Sequence, residues 1–382
     1  MVDRILNFFS SLKVTVVCLG LAVVLVFVGT IAQADQGLYQ AQERYFKSFF
    51  VFWSPAGTGL KIPVFPGGYL LGGVLLAGIL VRLTRRSAFS RERLGLLLVH
   101  GGLVLLLLGQ LLTDCLSVES AIRLTPGETR NYSEDFRRNE LVVIDTSPAD
   151  RDQVVAIPES VLAKSSEIRV PALPFALRVK SYWPNVDLLN QPMTNAIKAA
   201  ATQGIGTGVW VQPRPPVTDS DSRNVPSAVV EVVGPEGSLG SWLVCTQIEA
   251  GQSFGYGQKT YRLGLRVMRH YLPFSLTLLE ARHDVYRGTD IPKNFSSRVR
   301  LSRPDTKEDR EVLIYMNNPL RYGGETFYQY QMSSKGDSGW SVLQVVRNPS
   351  WVTPYLACVL VTLGLAVQFL RHLTDFTKGR KV

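Results

Sequence analysis

The sequence predicts a membrane protein with four transmembrane helices, three N-terminal and one C-terminal, and a large β-rich extracytoplasmic domain of sandwich or barrel type. Three observations carry this. Four apolar runs, at about 12–32, 66–83, 94–113 and 351–370, have lengths suited to the ~30 Å hydrocarbon core of a bilayer. Eight of the ten net positive charges lie on three short segments flanking those runs, 1–13, 82–93 and 371–382. Between the third and fourth runs, 114–350 holds many short alternating or β-branched stretches broken by Gly, Pro, Asn and Asp. With 46% hydrophobic and only 19% charged residues, the composition also leans toward a membrane protein with a soluble part.

The charge map sets an orientation. Basic residues flanking spans stay in the cytoplasm, which places both termini and the 82–93 loop there and 114–350 on the far side. The expected location is the inner (cytoplasmic) membrane, as a multi-pass protein. Because the positive charge serves orientation and 114–350 is nearly neutral, a nucleic-acid partner is excluded. Three regions follow: a membrane domain over 1–113, a β-rich domain over 114–350, and a fourth span with its cytoplasmic tail over 351–382. Ala32-Gln33-Ala34 resembles a signal-peptide cleavage site. The apolar stretch before it is at or beyond the ~7–15 residues usual in such leaders, so an uncleaved first span is expected.

The elements can be justified in order. After the first span, 33–65 is rich in aromatics (Tyr39, Tyr45, Phe46, Phe49, Phe50, Phe52, Trp53), which suits a segment at the membrane–water interface. Pro66-Gly67-Gly68 opens the second span, and Gly68, Gly72, Gly73 and Gly78 are small residues of the kind that let helices approach closely. In the third span Gly95, Gly102 and Gly109 recur every seven residues and form one narrow stripe. His100 lies about 140° around the helix from Gly95, at ~100° per residue, so it marks a different face. Strands are expected at Leu141–Asp145, Phe175–Tyr182, Ala228–Val233, Trp242–Ile248, Tyr261–Met268, Phe274–Leu279, Ser297–Leu301, Glu311–Tyr315, Thr326–Gln331 and Trp340–Val346. The stretch 193–203 reads as a short helix, and the proline-rich 212–226 as a loop. Leu173-Pro174-Phe175-Ala176-Leu177 is echoed by Leu272-Pro273-Phe274-Ser275-Leu276, as two related β-modules or chance would produce.

Enzyme motifs are missing: there is no HExxH or P-loop, and no CxxCH haem-attachment site. Cys18, Cys115, Cys245 and Cys358 are dispersed. Of these, Cys115 and Cys245 share the oxidising side, as free thiols or one disulfide. His270 and His283 read as solvated strand residues, and His372 as a headgroup neighbour. His100 is the ionisable group inside the third span. At membrane depth such a group faces protein, water or a cofactor, and neutral imidazole is a common ligand of metals and of haem iron. Its alternative role is to hydrogen-bond a neighbouring helix.

Several motifs, in order, resemble the ResB family of cytochrome c biogenesis proteins (system II). They are Ser11-Leu12-Lys13 and Gly29-Thr30-Ile31-Ala32-Gln33 around the first span, the basic loop, and His100 in the third. Leu272-Pro273-Phe274 and Ile291-Pro292-Lys293-Asn294-Phe295-Ser296-Ser297 follow. Then come Asn317-Asn318-Pro319-Leu320, Phe327-Tyr328-Gln329 and a last span with a short basic tail. The resemblance implies a haem-delivery subunit rather than an enzyme, working with a ResC/CcsA-like membrane subunit to present haem to CxxCH apocytochrome c outside. It implies His100 as an axial ligand of transient haem b, shared with that partner. Arg85, Arg86, Arg91 and Arg93 would then lie where haem propionates enter, although orientation alone explains them. The rival expectation is a membrane-anchored, non-haem scaffold that docks apocytochrome. The proline-rich 212–226 stretch and Asn294-Phe295 depart from the family's pattern.

Overall fold

The computed structural model describes residues 2–55, 60–84, 93–149, 151–217, 222–249, 251–289, 291–333 and 339–379. Arg85, Arg86 and Arg91 therefore lie outside the described residues. The chain begins with helices α1 (Val2–Phe9), α2 (Leu12–Gln36) and α3 (Leu38–Ala41) and a π-helical turn (Gln42–Phe46). A hairpin of β1 (Phe50–Trp53) and β2 (Ile62–Pro66) precedes α4 (Gly68–Thr84) and α5 (Leu94–Leu116). Then come β3 (Val118–Leu124), β4 (Thr129–Asp145), β5 (Gln153–Pro158), α6 (Glu159–Leu162), β6 (Glu167–Ile168), β7 (Ala176–Trp183), β8 (Val186–Leu189), β9 (Ile197–Lys198) and β10 (Trp210–Pro213). Next are β11 (Ser227–Gly234), β12 (Gly237–Cys245), β13 (Gln252–Tyr256), β14 (Lys259–Val285), β15 (Pro292–Arg303) and β16 (Glu308–Tyr315). The last elements are β17 (Leu320–Tyr322), β18 (Glu325–Met332), β19 (Ser341–Arg347) and α7 (Thr353–Gly379). Two compact units result: a helical one, running up to Val118 and resuming at Asn348, and a β unit made of Glu119–Val217 and Ser222–Arg347.

In the helical unit, three helices are long and apolar enough to cross a membrane: α2, α5 and α7. These are two N-terminal and one C-terminal. The expected span at 66–83 is present as the apolar α4, but its 17 residues reach only ~25 Å, short of a bilayer core, so a fourth crossing is not shown. α2 ends at Gly37, whose φ of 77° is the left-handed geometry that stops a helix. The aromatic segment that follows is not simply interfacial. Tyr45 and Phe46 turn inward, joining Cys18, Leu25, Val51 and Leu71 in the core of this unit, whereas Phe49, Phe50 and Trp53 are exposed.

The β unit contains both architectures named from sequence. Its largest sheet follows the order β16-β15-β14-β4-β3-β19-β18-β17, with β13 added to β14 and β5 to β4. One end curls into a nearly closed barrel: the edges meet at a bridge between Tyr315 and Asn318, and the Tyr322 hydroxyl donates to Glu308 Oε2 at 2.5 Å. Leu276, Leu278, Val299, Leu301, Ile314 and Phe327 fill it. At the other end, β4, β5, β13 and β14 face a second sheet, β12-β11-β7-β6, across a sandwich core. The strands β8, β10 and β9 cover the outer side of that second sheet, so β11 is buried on both faces. This explains why Ser-Ala-Val-Val-Glu-Val-Val reads as a nearly continuous β-branched run.

Two expectations change. Tyr261–Met268 and Phe274–Leu279 are one strand, β14, in which the pairing with β4 skips from Tyr271↔Tyr132 to Leu276↔Arg130. Pro273 has no N–H to give the ladder and sits in this interruption. The stretch 193–203 is not helical: Asn195 takes φ 66°, and Ile197–Lys198 pairs with β10 instead. The proline-rich excursion closes on one side chain, since Asn185 donates to Pro215 O at 2.7 Å and accepts from Val225 N at 2.9 Å. The paired Leu-Pro-Phe echoes take matching positions. Phe175 is the aromatic hub of the sandwich core, edge-on to Phe254, Tyr256 and Tyr261, and Phe274 that of the barrel, edge-on to Tyr322 and Phe327.

Candidate functional site: a histidine on the third long helix

α5 is oriented by its glycines. A Cβ built on Gly95 would stand 2.8 Å from Gly364 O, one on Gly102 2.9 Å from Ala357 O, and one on Gly109 2.2 Å from Thr353 Oγ1. The stripe thus lets the backbones of α5 and α7 approach more closely than any other side chain allows, and the two helices run antiparallel. Gly364 returns the contact from α7, where a Cβ would lie 2.7 Å from Gly95 O. At the C-terminal end of α5, Thr113 Oγ1 meets Ser350 Oγ at 2.7 Å, and Ser350 Oγ reaches Gly109 O at 3.4 Å.

His100 leaves α5 on another side. Its Nδ1 lies 2.8 Å from Leu96 O, one turn back. A carbonyl oxygen can only accept, so Nδ1 carries the hydrogen and the neutral ring keeps its lone pair on Nε2. Metal-binding histidines commonly donate their second nitrogen to a carbonyl in this way, which fixes the tautomer and raises ligand basicity. The donor chemistry therefore fits an axial ligand. Among the described residues no group of three or more His, Cys, Asp or Glu side chains is positioned to hold a metal, so His100 offers one ligand and no cluster.

Sequence reasoning missed a second polar feature on the same helix. Asp114, just past the expected end of the span, is 15% exposed and binds Lys47 Nζ at 2.9 Å, while its other oxygen accepts from the Tyr69 hydroxyl of α4. The bond to Asp114 holds the Lys47 ammonium above its usual pKa, with Glu43 adding at 3.5 Å. The signal in the sequence was spacing: Asp114 follows His100 by fourteen residues, nearly four full turns. The contact itself joins residues 45 apart and is invisible to local pattern.

His270 and His283 are only partly exposed, unlike the solvated strand residues expected. His270 Nε2 lies 3.3 Å from Asp135, whose side chain is 7% exposed. His283 stacks on Phe295, with centroids 4.4 Å apart and planes at 16°, and its buried Nε2 has no partner. His372 Nε2 meets Gln368 Nε2 at 3.0 Å within α7. All four cysteines are free thiols, and burial pushes the Cys245 thiol up. Arg82 lies in the last turn of α4, and Arg93 is the N-cap of α5.

Apolar helices of spanning length joined to a β unit with a single well-prepared imidazole define a membrane protein with a large β-structured part. Residues 229–339, from β11 to just before β19, match the model of the ResB-like family. The similarity to that family is thus shown for this stretch, which lies in the β unit and does not include His100. Protein NrfI of Wolinella succinogenes is 38% identical over 107 residues, 28% of this chain. The match spans only 11% of the length of that relative.

Proposed function

We propose that the chain is an accessory subunit of a cytochrome c maturation complex, and that it carries haem across the membrane with His100 as one axial ligand. The observation that carries this is the geometry of His100 in a chain with a ResB-like stretch: an imidazole on an apolar helix, with Nδ1 spent on Leu96 O and Nε2 left to bind. Haem, when bound, would supply the iron for that nitrogen to ligate. The residues of this chain orient the ring, exclude water along an apolar helix, and leave the second axial position to a ResC/CcsA-like partner. In the orientation set by the flanking positive charge, His100 lies about six residues, or ~9 Å, from the cytoplasmic start of the helix, on the side where haem is collected. The β unit then faces CxxCH apocytochrome outside, and covalent attachment belongs to the partner rather than to this chain.

The test is spectroscopic. The complex co-purified from cells expressing both subunits is expected to show a haem Soret band, and His100→Ala in this chain is expected to diminish or shift it. An unchanged haem content and spectrum in His100→Ala would remove the ligand assignment. It would leave a scaffold that docks apocytochrome without holding haem.

A further inference from the structure

The helical unit is built of two groups. One is α5 with α7, joined along the glycine stripe. The other is α2 with α1 and α4, in which Gly78 of α4 comes so close to Phe9 that an added Cβ would lie 2.7 Å from its carbonyl oxygen. The main packing between the groups is α4 against α5. At the C-terminal end of α5 that contact is polar: Asp114 is held by Tyr69 of α4 and by Lys47. Asp114 sits in the last turn, where the outward carbonyls already carry partial negative charge. An ionised carboxylate is disfavoured there unless a cation and a donor compensate it. Lys47 and Tyr69 supply both.

Fourteen residues separate His100 from Asp114, so at ~100° per residue their directions differ by only about 40°. The glycines point the opposite way, toward α7. On an ideal helix His100 therefore projects within about 40° of the side from which Tyr69 and Lys47 reach Asp114, about 21 Å further along α5.

We infer that Asp114, through Tyr69 and Lys47, is a positioning residue for His100: it fixes the seam between the two helix groups and so sets what the Nε2 lone pair meets. The glycine stripe sets the rotation of α5 against α7, and the Asp114 tie sets that pair against α4. Removing the tie frees the seam without touching the imidazole or its bond to Leu96. The inference rests on the proposed ligand role only for its effect on haem, because the geometry holds without it.

Two measurements on the full chain separate these parts. In the purified, haem-free protein, acylation of histidines by diethyl pyrocarbonate is followed residue by residue by mass spectrometry. Asp114→Asn and Tyr69→Phe are expected to change the His100 rate several-fold and to leave His270, His283 and His372 unchanged, and Asp114→Glu to return it toward the parent value. In the co-purified complex, the same Asn variant is expected to retain haem with a shifted or broadened Soret band. A parent-like His100 rate in Asp114→Asn, with the other three also unchanged, overturns the inference. If all four rates rise, the variant has unfolded, and Lys47→Gln, which removes one of the two partners, is judged by the same criterion. A Soret band indifferent to His100→Ala defeats the ligand role alone, and the acylation rates still decide the tie.

Discussion

Asp135 and Glu325 both neighbour His270, yet their carboxyls shift in opposite directions. Burial works against ionisation of Asp135, but the N–H groups of Arg137 and Arg138, each at 2.9 Å, together with Arg138 and His270, outweigh it and hold its pKa below the ordinary 3.8. Burial raises Glu325 above its ordinary 4.5, only partly offset by Arg347 and His270. The signs follow. The stabilisation from Asp135 is fully present above its unfolded pKa of 3.8 and is lost as pH falls through the lower folded value. Glu325 contributes the reverse: the unfolded chain ionises first, so stability falls as pH rises from 4.5 toward the raised folded value. Asp135→Asn is expected to lower stability by about 2 kcal/mol at neutral pH, with a smaller difference in strong acid, by urea unfolding in detergent across pH. Glu325→Gln is expected to stabilise at pH 7, and the gain should vanish near pH 4. A gain that persists there would mean the carboxyl is not the cause.

Among the elements, α5 was the most legible in sequence, because a seven-residue glycine period and a lone histidine both project directly onto helix faces. The glycines of α4 were less so. Gly68 and Gly78 do meet backbone, but a Cβ on Gly72 or Gly73 would touch nothing within 4 Å. Small size permits close approach without requiring it, and only the third dimension says which glycines use it. Gly102→Val is accordingly expected to destabilise the helical unit by about 2 kcal/mol, as overpacking does, whereas Gly73→Ala should be neutral or slightly stabilising. Thermal melts of the two variants in the same detergent check this, and equal melting temperatures would contradict it. β14 shows the opposite limit. Its two halves were readable as separate strands, but nothing local reveals that a strand continues past an interruption braced by β4.

For the β unit as a whole, the sandwich and barrel cores both hang on β14. β4 and β14 contribute Leu141, Leu263 and Leu265 to the sandwich and, further along β14, Leu276 and Leu278 to the barrel. Truncating each aromatic hub should therefore act locally first. Phe274→Ala is expected to cost about 3–5 kcal/mol and to expose amides of β15, β16 and β18 to hydrogen exchange while β11 and β12 stay protected. Phe175→Ala should give the converse pattern. Uniform loss of protection in both would show one cooperative core instead of two. The sequence echo hinted at this duplication, but the sharing of β14 was hidden, since it depends on pairings between residues more than a hundred positions apart.

That sharing also shapes how the chain can be born. Thr129 of β4 meets Thr277 of β14, 148 residues later, and all of β5 to β13 must be made in between. A seventeen-residue strand thus emerges long before its partner exists, bearing unpaired backbone groups and a run of apolar residues, Leu141, Val142, Val143 and Ile144. β5 can pair first with that run, covering one edge from Glu140 to Asp145. The remaining edge must stay guarded until β14 arrives. Pairings this distant close slowly and leave such edges open to aggregation, so the yield of active protein should depend on the rate at which the stretch between the two strands is delivered.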